Sequence, residues 1–345
     1  MERQEIITWL QCEDETKLQE LWQQADSIRG SHVGNAVHLR GLLEISNTCA
    51  RDCHYCGIRA ENSELERYRM PEDEIMECVR EAVDYHYGTV VLQAGEDYGI
   101  TQEWMTSLIR RIKNETSLAV TLSLGERSDA DLVAWKEAGA DRYLLRFETS
   151  NRALYDRIHP PLPGSDSDRI ALLRRLREIG YEIGSGVMIG IPGQTWEDLA
   201  DDIATFRTLD LDMIGVGPFI PHSGTPLGRT DADQQALPRE QAPNTEEMTY
   251  RVIALARIAC PDANIPSTTA LATLNRESGR ELGLSRGANV VMPNLTPPQY
   301  RALYEIYPAK ACISETAQEC RSCLKNRITA MGRTVGQGPG DRRRS

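Results

Sequence analysis

Cys49, Cys53 and Cys56 stand in the run CARDCHYC, where the spacing C-x3-C-x2-C lets one loop offer three thiolates to three corners of a cubane cluster. Three protein ligands would leave one iron open to a small molecule. Zinc is the competing reading, but it needs a fourth ligand, and His54 sits awkwardly between two of the cysteines. A second group, Cys312, Cys320 and Cys323, has the spacing C-x7-C-x2-C and fits either another iron–sulfur or metal site or a set of packing thiols. Cys12, Cys78 and Cys260 stand apart with no assignable role, and Cys78 reads as packing within a helix.

A cluster loop needs a rigid scaffold, and from Leu42 onward the chain alternates strand with helix. Strand patterns fall at 42–46, 89–93, 118–123, 141–147, 183–189, 212–217, 263–269 and 288–293. Several are nearly unbroken apolar runs, as parallel strands buried on both faces require. Helical periodicity fills 71–86, 103–114, 131–139, 167–180, 195–209 and 245–259, with Thr195 and Thr245 placed to cap and Gly139 and Gly180 placed to stop. The pattern predicts an α/β fold: a single (β/α)8 barrel over 41–300, with an open doubly wound sheet as the rival. Residues 1–40 read as a helical extension, 301–330 as a segment carrying the second cysteine group, 331–345 as a flexible tail, and 222–244 as a long loop. In either fold, functional residues belong at the C-terminal ends of the strands.

The net charge of −12 argues against nucleic acid as a partner. No apolar run reaches the roughly 18 residues of a membrane span, and the acidic N-terminus lacks a signal-peptide pattern, so a cytoplasmic location is expected. In that compartment nine cysteines are not a disulfide framework. Glu96 and Glu126 add acceptors near the barrel mouth. Arg146 and Arg169 add forked donors suited to carboxylates, and His222 lies in the long loop.

The cysteine spacing, with Tyr55 before the last cysteine, resembles the signature of the radical S-adenosylmethionine (SAM) superfamily. That resemblance implies a 4Fe-4S cluster on Cys49, Cys53 and Cys56 whose open iron is chelated by SAM, and reductive cleavage of SAM to a 5′-deoxyadenosyl radical. It also assigns Tyr55 to the adenine, Gly95 and Glu96 to the SAM amino group, and Arg146, Glu148 and Arg169 to holding SAM. The stretch VMIGIPGQTWED resembles the fifth-strand glycine motif, which places the backbone of Ile189 to Ile191 along the adenine.

Longer stretches, among them VLQAGED, KEAGADRYLLRFETSN, GVGPFIPHSGTP and RGANVVMPNLTP, resemble the FeFe-hydrogenase maturase branch, HydE. The resemblance implies an iron–cysteine substrate with carbonyl and cyanide ligands, partner maturases, an electron donor, and a dispensable second cluster on Cys312, Cys320 and Cys323. It places Thr268, Thr269, Tyr300 and Tyr304 in cavity-lining segments. Some relatives carry histidine where Phe147 stands, which would alter the ligand if that position touches substrate. The motif set is shared with methylornithine synthase, which rearranges lysine, and with biotin synthase. A radical mutase on a free amino acid is therefore the alternative, and a non-catalytic iron–sulfur carrier a more distant one.

Overall fold

The structure is a computed structural model that describes residues 1–164, 166–229 and 240–343. Its strands are β1 (Ala36–Ser46), β2 (Thr89–Ala94), β3 (Ala119–Ser123), β4 (Arg142–Leu144), β5 (Glu182–Ile189), β6 (Met213–Pro218), β7 (Val290–Val291) and β8 (Thr334–Val335). They pair in parallel in the order β6-β5-β4-β3-β2-β1-β7. Between β6 and β7 the chain at 264–266 makes only isolated parallel bridges, Met213 with Asn264 and Pro266 with Val290. These bridges carry the pairing round, so the sheet curls into a (β/α) barrel with one thin wall. The 263–269 strand expected from the sequence is reduced to these bridges, because Pro266 has no N–H to give a ladder.

Helices follow the strands within a residue or two of their predicted limits. Thr195 and Thr245 cap theirs, accepting from the backbone N–H of Asp198 and Met248 at 3.2 Å each. Gly139 and Gly180 end theirs at φ +112° and +101°. The N-terminal helices Arg3–Leu10 and Glu15–His32 pack on the outside against Trp196–Thr208 and Glu246–Ala259, burying Leu10, Leu21, Trp22 and Ala25. Arg251 ties them in by donating to the Leu10 carbonyl at 2.6 Å. Among the described residues, no helix is long and apolar enough to cross a membrane.

The flexible tail expected over 331–345 must be corrected for 331–343, which close the barrel floor. β8 pairs with the start of β1. Beyond it the Pro339 carbonyl accepts from Thr89 Oγ1 at 2.9 Å and from Arg142 at 3.1 Å, and the Gly340 carbonyl accepts from Arg40 at 2.9 Å. Arg40 and Arg142 are buried under the strands, and these carbonyls help satisfy them. The approach is so close that a Cβ at Gly88 would lie 1.6 Å from the Gly338 carbonyl oxygen. Within the same segment, Arg342 pairs with Asp210 at 2.6 Å. Of the long loop at 222–244, residues 230–239 lie outside the described residues.

Candidate active site

The cysteine loop leaves the C-terminal end of β1 and is held by backbone contacts. Ala50 N–H donates to the Glu96 carbonyl at 2.9 Å, His54 N–H to Ile158 at 2.9 Å, and Gly57 N–H to Ile306 at 3.0 Å. Arg67 acts as a hub inside the turn: its guanidinium donates to the carbonyls of Asn47, Ile58, Arg59 and Asn62 at 2.6–3.1 Å. Among the thiols, Cys49 Sγ adds one bond, accepting from Glu96 N–H at 3.3 Å.

Cys49, Cys53 and Cys56 all line one cavity of about 330 Å³ at the C-terminal strand ends. Burial pushes each thiol up, Cys56 to about 12 with Cys49 adding to the effect. Among the described residues, no three His, Cys, Asp or Glu side chains converge on a point suited to one metal ion. Three thiols facing one cavity without meeting suit a cluster with one iron per thiolate better than a mononuclear zinc. The donor set therefore fits an iron–sulfur cube.

Gly95 governs how closely β2 approaches this loop. A Cβ there would lie 2.3 Å from the Thr48 carbonyl oxygen and 2.8 Å from Cys49 Cβ. Gly95→Ala is expected to push Cys49 out of place and lower the iron bound per chain after anaerobic reconstitution. Iron assay of the folded variant, with circular dichroism as the folding control, checks this; full iron loading would contradict it.

Of the other residues expected at the site, Tyr55, Gly95, Glu96, Arg146, Glu148, Arg169, Thr268, Thr269 and Tyr304 line the same cavity. Ile189, Ile191 and Tyr300 do not. The Ile189 carbonyl holds Phe219 N–H at 2.8 Å, and Ile191 belongs to a turn closed by Gln194. Tyr300 packs against Tyr68 with the rings tilted by 36° and centroids 4.8 Å apart. His222 turns inward on its own loop, where Nδ1 accepts from Gly224 N–H at 2.9 Å. Phe147 is buried against Phe206, ring centroids 5.8 Å apart, and does not line this cavity.

Two of the expected acceptors are already committed. The Glu96 carboxylate accepts from Arg51 at 2.6 Å, Tyr98 at 2.8 Å and Glu126 N–H at 3.0 Å. Glu126 takes Arg51 at 2.9 Å, Arg169 at 3.0 Å and Ser167 at 2.5 Å. Two buried arginines and two carboxylates thus neutralise one another beside the cavity, which makes their burial tolerable. Arg51 was not singled out by the sequence. Its one signal was a position inside the cysteine run.

Arg169 opens the helix Arg169–Ile179, so its side chain leans back over the preceding turn toward the barrel mouth. It donates to Glu126 and to the Arg146 carbonyl at 2.8 Å, and its Nη2 meets His159 Nε2 at 2.6 Å. Burial and then Arg169 push His159 down to about 2, so it stays neutral and accepts. Arg146 Nη2 pairs with Glu148 Oε2 at 3.0 Å and donates to the Val187 carbonyl at 2.6 Å, while Arg146 Nε is buried without a hydrogen bond. Glu148 also holds φ +62°, a strained value for a non-glycine residue. An unmet polar atom and strain at a cavity wall mark a place prepared for a ligand.

The second cysteine group is gathered only in part. Cys320, buried on the helix Ala317–Ala330, lies beside Cys312, and the two thiols shift one another, Cys312 downward and Cys320 upward. Cys323 is exposed. None of the three lines the main cavity.

A profile of the Radical SAM superfamily matches residues 43–206. The chain is 44% identical over 324 residues, 94% of its length and 89% of the relative's, to the [FeFe] hydrogenase maturase subunit HydE of Thermotoga maritima. It is 28% identical over 94% of its length and 87% of the relative's to 3-methylornithine synthase of Methanosarcina acetivorans. A crystal structure of methylornithine synthase superposes with a TM-score of 0.81 at 25% identity, covering 97% of this chain and 94% of that one.

Proposed function

This chain belongs to the radical SAM superfamily, and from that premise we propose that it is a maturase of [FeFe] hydrogenase acting on a small iron–cysteine complex with carbonyl and cyanide ligands. The observation that carries this reading is the 44% identity to HydE over almost the whole of both chains, against 28% to methylornithine synthase. Lysine rearrangement is correspondingly less favoured. A passive cluster carrier has no use for a cavity walled by Arg146, Glu148 and Arg169.

Membership implies a 4Fe-4S cluster and SAM. When bound and given one electron by an external donor, the pair would supply a 5′-deoxyadenosyl radical, with methionine as the other product, chemistry that no side chain offers. In our reading Cys49, Cys53 and Cys56 hold the cluster and leave its fourth corner to SAM. Arg169 and Arg146 hold the SAM carboxylate, and Glu148, poised at its strained backbone, takes a donor of the same molecule. Tyr55, on the cavity wall, flanks the adenine. Glu96 contributes through its backbone, because its carboxylate is occupied. The barrel interior shields a primary radical from water and from other C–H bonds, so that one substrate atom is presented to it.

A second iron–sulfur cluster on Cys312, Cys320 and Cys323 is supported by their spacing and by the contact of two of the thiols; Cys323 would have to turn inward to join them. Other maturases and an electron donor are the partners this role calls for, and the cytoplasm is the compartment that suits them. The functional test is complementation. Extract from a hydrogenase-expressing strain lacking its HydE should regain hydrogen evolution when this protein is added. An extract that stays inactive with cluster-loaded protein would contradict the reading.

A further inference from the structure

Glu44 and Lys310 form an ion pair on the wall of the same cavity, 1% and 5% exposed. Glu44 stands near the end of β1 and is rigidly held. Its N–H donates to Thr296 Oγ1 at 2.8 Å and its carbonyl accepts from Tyr68 at 2.8 Å. Both carboxylate oxygens are engaged, Oε1 by Lys310 and Oε2 by Asn294 at 2.9 Å. Lys310 is the less satisfied partner. Apart from Glu44 it has a long 3.5 Å contact to the Tyr304 carbonyl, and it stands 5.3 Å from the Tyr304 ring centroid. An ammonium carries three N–H donors, so donor capacity remains at the cavity wall.

A buried ion pair is a poor device for stability, because the cost of drying both charges offsets their attraction. On a cavity wall it can instead serve a ligand. Glu44 already has a donor on each carboxylate oxygen, whereas Lys310 keeps donor capacity for an acceptor. Thr268 Oγ1, buried on the same wall without a partner, offers another hydroxyl donor. We infer that Lys310 is a substrate-binding residue that takes the carboxylate of the substrate, with Glu44 fixing the position of its ammonium. This rests on the maturase reading, in which the substrate carries the carboxylate of cysteine.

The test compares the reconstituted wild type with the double variant Glu44→Gln, Lys310→Met, which removes both charges and so leaves no orphaned buried ion. The probes are the iron–cysteine carbonyl cyanide complex and its cysteamine counterpart, which lacks the carboxylate. The reading is substrate-dependent 5′-deoxyadenosine. The variant is expected to raise KM for the cysteine complex roughly 10- to 100-fold, the loss typical of a hydrogen bond to a charged group, with SAM affinity unchanged. The cysteamine complex should serve both proteins equally poorly. Unchanged KM, or a variant that still prefers the cysteine complex as strongly as the wild type does, overturns the assignment. A wild type that ignores the cysteine complex altogether overturns the functional reading, and this inference with it.

Discussion

Cys53→Ala is expected to abolish 5′-deoxyadenosine formation, to the level of a control without protein, while leaving a folded chain. The loop is shaped by Arg67 and by backbone bonds from Ala50, His54 and Gly57, none of which involves a cysteine sulfur. Removing one buried sulfur therefore costs stability only on the order of 1 kcal/mol. The chemical loss should be total, because the proposed cluster would lose one of the three thiolates that would hold it. Cys78→Ala and Cys260→Ala supply the contrast. Both thiols are buried away from the cavity, so these variants should keep activity at a similar small cost in stability. Iron content, 5′-deoxyadenosine and a melting curve on the three variants separate the cases; wild-type product from Cys53→Ala would remove the cluster from the account.

Arg169→Met is the second large effect. Three of the five guanidinium N–H groups serve Glu126, the Arg146 carbonyl and His159, so two remain for a carboxylate at the cavity. The substitution should weaken SAM binding roughly 10- to 100-fold, as loss of a charged hydrogen bond does, without lowering iron content. It should also lower the melting temperature, because Glu126 keeps Arg51 but loses a buried partner. Arg169→Lys restores the charge but not the fork, and should recover stability more than affinity. Equilibrium SAM binding on cluster-loaded protein checks this. An unchanged SAM affinity would confine Arg169 to a structural role.

What the sequence made legible was local. The cysteine loop, the βα alternation and the glycine turns are each written within about fifteen residues, and so were readable as pattern. What it concealed depends on closure of the ring. Glu44 looked like one charge in the apolar strand LLEIS, and its meaning lies in Lys310, 266 residues later. Glu126 was readable as a free acceptor until Arg51 and Arg169 were brought to it from either side. The glycines of the tail read as flexibility, yet the Gly338 carbonyl is packed against Gly88, whose lack of a Cβ permits the approach, and the Gly340 carbonyl accepts from Arg40. The strand expected at 263–269 failed where Pro266 interrupts its ladder, leaving bridges.

The most direct measurement is 5′-deoxyadenosine release by the anaerobically reconstituted protein with dithionite and SAM, in the presence of the iron–cysteine carbonyl cyanide complex, of L-lysine, or of neither. The account predicts strong stimulation by the iron–cysteine complex and none by lysine. Stimulation by lysine alone, or no release from a fully loaded cluster under any condition, would contradict it.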